Sequence, residues 1–157
     1  MSESLIPPGF KLLQTGLGFT DMIQPVYRHL SDEGIHFGLI VSDVHTNTMG
    51  ICHGGVLMTF ADIAAASAVN FLAGKRAGSP TINLSLDFVS PGRLGEWLYS
   101  SIDHVSLKRR FGFCSGAINN QAGLVARFNG TFYLPEHKGM WKDKKTETGP
   151  LAVDGDS

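Results

Sequence analysis

His53-Gly54-Gly55 opens an almost wholly apolar run that ends near Leu72. Asp62 is the only ionisable side chain between His53 and Lys75. Burying an unpartnered carboxylate is expensive, so Asp62 either has a hydrogen-bonded structural role or does chemistry. If the run is helical, its first residues present N–H groups without intrahelical acceptors and a partial positive charge, which suits an oxyanion. Glycine at 54 and 55 lets a ligand approach the backbone closely. A carboxylate can activate water as a general base. The two features cannot meet within one chain if both lie on this helix. Asp62 follows His53 by nine residues, which is roughly half a turn out of phase and about 13 Å along the axis. A site using both needs two copies. A two-fold dimer would bring the helix start of one subunit near the helix middle of the other, twice.

The elements that must position these residues follow from periodicity. Residues 54–72 carry apolar side chains on every side of a helical wheel, the mark of a buried helix. The run is long enough to raise a membrane span, but Asp62, Thr59, Ser67, Asn70 and the many alanines argue against one. Ahead of it, 26–30 and 35–44 flank the turn-forming Ser31-Asp32-Glu33-Gly34 and read as a hairpin, with Ile35, Phe37, Leu39 and Val41 on one face. Residues 10–22 read as irregular or short helix. After the helix, Gly74 and Gly78 with Lys75 and Arg76 make a stop signal. Residues 81–89 alternate strictly, with Ile82, Leu84, Leu86 and Phe88 on one face and Thr81, Asn83, Ser85 and Asp87 on the other. Strands over 96–107, 111–119 and 124–134 follow, the last with Leu124, Ala126, Phe128 and Phe132 on one side. One helix against one antiparallel sheet is an α+β layer solution. A helix apolar all round requires that the sheet curl around it or that a second subunit help cover it.

The chain has 157 residues, 43% hydrophobic, and a net charge of -1, which favours one domain with a sizeable core. The expected division is an irregular segment over 1–25, the domain over 26–134, and a polar tail over 135–157. With no global basic field, nucleic acid is not an expected partner. Cys52 and Cys114 do not make a disulfide framework, and the first ten residues lack an apolar signal-peptide core. A reduced, cytoplasmic setting is expected. No metal-ligand spacing is present, so no metal is expected.

Across 26–134 the chain resembles the hotdog-fold thioesterases, in the branch of the phenylacetate-degradation (PaaI-type) and four-hydroxybenzoyl-CoA-type enzymes. The resemblance rests on H-T-N-T-M-G-I-C-H-G-G at 45–55, the aspartate nine positions after the histidine, Thr81 opening the next strand, and D-F-V-S-P-G-R-L-G at 87–95. It implies a curved antiparallel sheet of five to six strands wrapped around one long helix. It also implies an acyl-CoA substrate, with CoA as part of the substrate and no separate cofactor, and a homodimer that forms the site, assembled into a homotetramer. By the same resemblance, the Gly54 N–H would polarise the thioester carbonyl and the Asn47 amide would help hold its oxygen. His53 would orient the site and favour the thiolate leaving group. Asp62 of the neighbouring subunit would be general base or nucleophile, with Thr81 of that subunit placing the water. CoA phosphates need cations, and Arg93 on one turn or Lys108, Arg109 and Arg110 on another could reach them.

Each assignment has a plainer alternative. Asp62 can be structural, His53 a simple helix-start residue, Asn47 an ordinary turn residue and Thr81 a strand residue. Lys108 to Arg110 can be a solvated hairpin tip. His45 reads as structural. Cys52 beside His53 could be a nucleophile, although a small buried thiol is the simpler reading. Trp97, Phe60 and Phe88 read as core by default, with an acyl pocket as the alternative. At the level of function, an enoyl-CoA hydratase or dehydratase on the same fold, or a non-catalytic acyl-CoA-binding module, stand beside the thioesterase.

Overall fold

The computed structural model describes residues 5–76 and 78–136. The tail expected beyond Glu136 lies outside the described residues. A two-residue strand β1 (Lys11–Leu12) and a 3-10 turn (Gly18–Ile23) lead into the hairpin of β2 (Val26–Ser31) and β3 (Gly34–Ile40). The one long helix among the described residues, α1, spans Gly54–Leu72. β4 (Thr81–Phe88), β5 (Trp97–Lys108), β6 (Phe111–Asn120) and β7 (Gly123–Tyr133) complete the chain. All strand pairs are antiparallel, in one seven-stranded sheet of order β1-β2-β3-β5-β6-β7-β4. The strand beyond the expected five or six is β1. Two residues carry no readable alternation, and only their pairing with Tyr27 and Arg28 makes them a strand.

The sheet wraps α1 because both surfaces are built for close approach. Ala61, Ala64, Ala65 and Ala68 are buried against a layer of Phe37, Leu39, Leu98, Ile118, Phe128 and Phe132. Burying each such large apolar side chain contributes about 1.5–3 kcal/mol. On β6, Gly112 sits directly under Val69, where a Cβ would overlap the Val69 Cγ1 methyl. Gly112→Ala should therefore destabilise the fold by about 1–3 kcal/mol through overpacking, read as a lower urea midpoint at unchanged slope. Val69→Ala in the same chain should recover part of the loss.

The helix ends as its sequence indicates. Gly74 takes φ +66, its N–H donates to Phe71 O, and Lys75 N–H donates to Asn70 O, which together form a Schellman cap. By length and composition α1 could cross a membrane, yet in this fold it is the core helix under the sheet.

Two expectations need correction. The helix is not buried all round: Gly55, Thr59, Asp62 and Ala66 form a stripe along it that the single chain leaves at least partly open. On β7, Leu124 is 39% exposed while Val125 and Ala126 are both fully buried. An irregularity in the β6–β7 register at Ile118/Asn119 interrupts the period of two there.

Candidate active site

The start of α1 is held by a small loop. Thr46 bridges Cys52, Asn47 N–H donates to Ile51 O, and Gly50 turns the chain at φ +71, where glycine is favoured. Asn47 Oδ1 accepts from Met49 N at 2.9 Å and from Ile51 N at 3.4 Å. The carbonyl side of this amide is thus used inside the loop. Its Nδ2 is the donor that remains, and among the described residues nothing accepts from it. The loop is pinned below by an Ile51–Arg93 bridge and by Cys52 N–H donating to Gly92 O. His53 N–H donates to His45 O at 2.8 Å. His45 itself is fully buried, with Nδ1 beside Ser42 N and Nε2 at 2.8 Å from Ile23 O. It is a structural strut, as its sequence context indicated.

His53 is the N-cap of α1, and its Nδ1 accepts from Gly55 N at 2.8 Å. The neutral ring that accepts through Nδ1 carries its proton on Nε2, which makes the outer nitrogen a donor. Gly54 is the first helical residue, so its N–H has no acceptor within the helix. Asn47 Nδ2, Gly54 N–H and His53 Nε2–H are donors that this short segment brings to the start of α1.

Thr81 Oγ1 donates to Asp62 Oδ1 at 2.6 Å. Strict alternation would put Thr81 on the outer face with Asn83, Ser85 and Asp87. The pairing shows otherwise. Thr81 sits opposite the buried Phe132 while Asn83 sits opposite Thr131, so Ile82 is an extra residue in β4. This bulge turns Thr81 inward to the helix and leaves Ile82 54% exposed. The carboxylate is half-buried rather than sealed in packing. A half-exposed carboxylate held by one hydroxyl keeps access for a water molecule.

Within one chain these are two separate groups of polar residues. Gly54 and Asp62 lie on the same straight helix, eight residues apart, which is about 12 Å. Arg93 lies beside the helix start through its bridge to Ile51. The turn bearing Lys108, Arg109 and Arg110 joins β5 to β6 near the opposite end of α1, where Gly112 meets Val69. In that turn Arg110 pairs with the Glu136 carboxylate. Its pKa is raised, first by a hydrogen bond with Tyr133 and then by the Glu136 charge.

The remaining candidates sort by position. Phe60 is fully buried core. Trp97 lies across Gly38 on the sheet face away from α1, packed with Phe10 and Tyr27. Phe88, read as core from the sequence, instead lies against Gly54. A Cβ on Gly54 would be 3.3 Å from its ring, and the ring is 56% exposed. Burial pushes the Cys52 thiol up to about 11 and the Cys114 thiol to about 12. With its thiol buried and its pKa raised, Cys52 fits the small buried thiol better than the nucleophile. Among the described residues no group of three or more metal-ligating side chains occurs. Depressions of about 410 Å³ (around Trp97, Tyr99 and Gln121) and 260 Å³ (around His104, Phe113 and Asn129) contain none of Asn47, His53, Gly54, Asp62 and Thr81.

Comparison with known proteins places this geometry. The family described as "Thioesterase superfamily" matches residues 49–127. A candidate esterase of Pseudomonas aeruginosa is 30% identical over 131 residues, covering 83% of this chain and 98% of that protein. Among solved structures, a variant of the phenylacetic acid degradation protein PaaI from Thermus thermophilus is 25% identical, with a TM-score of 0.65, covering 74% of this chain and 98% of that one. Zebrafish thioesterase superfamily member 2 shares the fold with a TM-score of 0.69 at 21% identity, covering 77% of this chain and 89% of that one.

Proposed function

Because the chain belongs to the thioesterase superfamily, we propose that it hydrolyses acyl-CoA thioesters to a carboxylic acid and free CoA, at two sites shared across a two-fold dimer. Thioester hydrolysis in general follows from the family. The acyl-CoA substrate and the division of labour below are our reading. The observation that carries it is the Thr81–Asp62 hydrogen bond, which holds the one carboxylate of a largely apolar helix at its partly open side.

In this reading the thioester oxygen of the substrate lies at the start of α1 of one subunit, held by Gly54 N–H and Asn47 Nδ2. Asp62 comes from the other subunit. Thr81 gives its hydroxyl hydrogen to Asp62 Oδ1, so its oxygen is left to accept a hydrogen bond from the attacking water. The second Asp62 oxygen takes the water's proton as the new C–O bond forms. The tetrahedral oxyanion is stabilised by preorganised donors at a helix N-terminus. Its collapse breaks the C–S bond, and the departing thiolate is favoured by His53 Nε2–H. Arg93, whose bridge to Ile51 puts it beside the helix start, is assigned to a CoA phosphate ahead of the Lys108–Arg110 turn of the same chain.

The dimer is supported by the edge strand. Among the described residues β4 pairs on one side only, with β7, and carries Ile82 and Phe88 half-exposed beside the open stripe of α1. An unpaired apolar edge invites a second strand. Antiparallel β4–β4 pairing about a two-fold axis would cover it and set each helix start against the other helix's middle. Two such dimers would make the tetramer.

The test is release of free thiol from a panel of aryl, short, medium and long acyl-CoAs. Thr81→Val should lower kcat about tenfold on the best substrate, the worth of one hydrogen bond to a charged group, and Thr81→Ser should restore most of it. Absence of turnover for every thioester, or full turnover by Thr81→Val, would refute the proposal.

A further inference from the structure

We infer that Phe88 sets acyl specificity by walling one side of the space beside the Gly54 N–H where the α-carbon of the acyl group must lie. This rests on the acyl-CoA reading above. Phe88 stands opposite Ala126, which is fully buried, so by register it faces the helix. Its Cε1 and Cζ atoms lie 3.3 and 3.4 Å from where a Gly54 Cβ would be. One side of the ring therefore covers Gly54, yet the residue remains 56% exposed. A large aromatic ring on the inward side of a strand is normally closed off in the core. Here it packs over the first residue of α1, and the single chain leaves the rest of the side chain uncovered.

The geometry translates into a substrate rule. A carbonyl oxygen accepting from Gly54 N sits about 2.9 Å from that nitrogen. The carbonyl carbon and its α-carbon then fall within a few ångströms of the Phe88 ring. A methylene passes along a ring edge, whereas a second substituent on the α-carbon collides with it. The neighbouring exposed apolar side chains are Val89, which follows Phe88 in the chain, and Leu94, which follows Arg93 of the Ile51 bridge. The site accordingly takes acyl groups unbranched at the α-carbon and discriminates against α-branched ones. One added methyl group against a fitted wall is worth about 10–200-fold in kcat/KM.

The experiment compares butyryl-CoA with isobutyryl-CoA, and hexanoyl-CoA with 2-methylhexanoyl-CoA, using wild type, Phe88→Leu and Phe88→Ala. Free thiol gives kcat/KM, and sedimentation gives the assembly state of each protein. The wild type should prefer the straight chain in both pairs by at least tenfold. Phe88→Ala should reduce that ratio by at least tenfold, mainly by gain on the branched substrate, with Phe88→Leu between. If Phe88→Ala fails to assemble, the Phe88→Leu ratio decides alone. A common factor lost on all four substrates, with the ratio unchanged, would overturn the inference and leave Phe88 a packing residue. A wild type that hydrolyses no thioester at all would instead remove the acyl-CoA reading on which it stands.

Discussion

Asp62→Asn should lower kcat for thioester hydrolysis by about 10³-fold, within the range that a positioned general base supplies. The substitution keeps the shape of the side chain, and the amide oxygen can still accept from Thr81 Oγ1, which in the native protein bonds Asp62 Oδ1 at 2.6 Å. What is lost is the basic oxygen that, in the proposed mechanism, takes the water's proton. Because the acid is half-exposed, the neutral amide should be accommodated with little change in stability, so a fall in kcat will not be a disguise for unfolding. KM should move little, since the carboxylate acts on water rather than on CoA. Wild-type turnover by this variant on the best substrate would eliminate Asp62 as the base.

Gly54→Pro should cost a further test of the opposite half-site, with kcat falling about 10²–10³-fold, the effect of deleting one oxyanion donor. Proline is tolerated at the first helical position because the missing N–H has no intrahelical partner there. His53 before it sits at φ -63 and ψ 136, the extended conformation that a residue preceding proline prefers. The ring adds bulk next to Phe88, 3.3 Å from the Cβ position, so Gly54→Ala is the control that adds the Cβ and keeps the N–H. The difference between proline and alanine isolates the donor. If both variants lose activity equally, the loss is steric and the N–H is not the oxyanion group.

The two variants together decide where the site is built. A mixture of Asp62→Asn and Gly54→Pro subunits, dissociated and reassembled, contains heterodimers in which one of two shared sites has both an intact Gly54 and an intact Asp62. Random pairing should restore about one quarter of wild-type activity. A site contained in a single chain would recover nothing on mixing.

The candidate residues were legible because chemistry leaves compositional outliers. A single carboxylate in an apolar helix, and glycines at its start, stand out without coordinates. The 3.6-residue spacing also shows that Gly54 and Asp62 cannot touch within one helix. The hairpin face of Ile35, Phe37, Leu39 and Val41 was equally readable, and all four are buried. Phe88 was not. Its alternation with Leu84 and Leu86 marks it as inward, but only the path of β4 past the helix start shows which inward surface it meets.

Local pattern determined the helix, its Schellman stop, the strand segments from β2 onward and the identity of the polar groups available for catalysis, because each depends on neighbours a few residues away. Tertiary structure decided which side Thr81 faces, how far Asp62 is covered and what stands over Gly54. Thr81 is the clearest case. Its period-two position points to solvent, and one inserted residue, Ile82, reverses it onto the helix. A bulge is chosen by the register between β4 and β7, whose partners flanking it, Asn83 with Thr131 and Thr81 with Phe132, lie 48 and 51 positions apart in sequence. Nothing in the alternation of either strand records where the extra residue will fall.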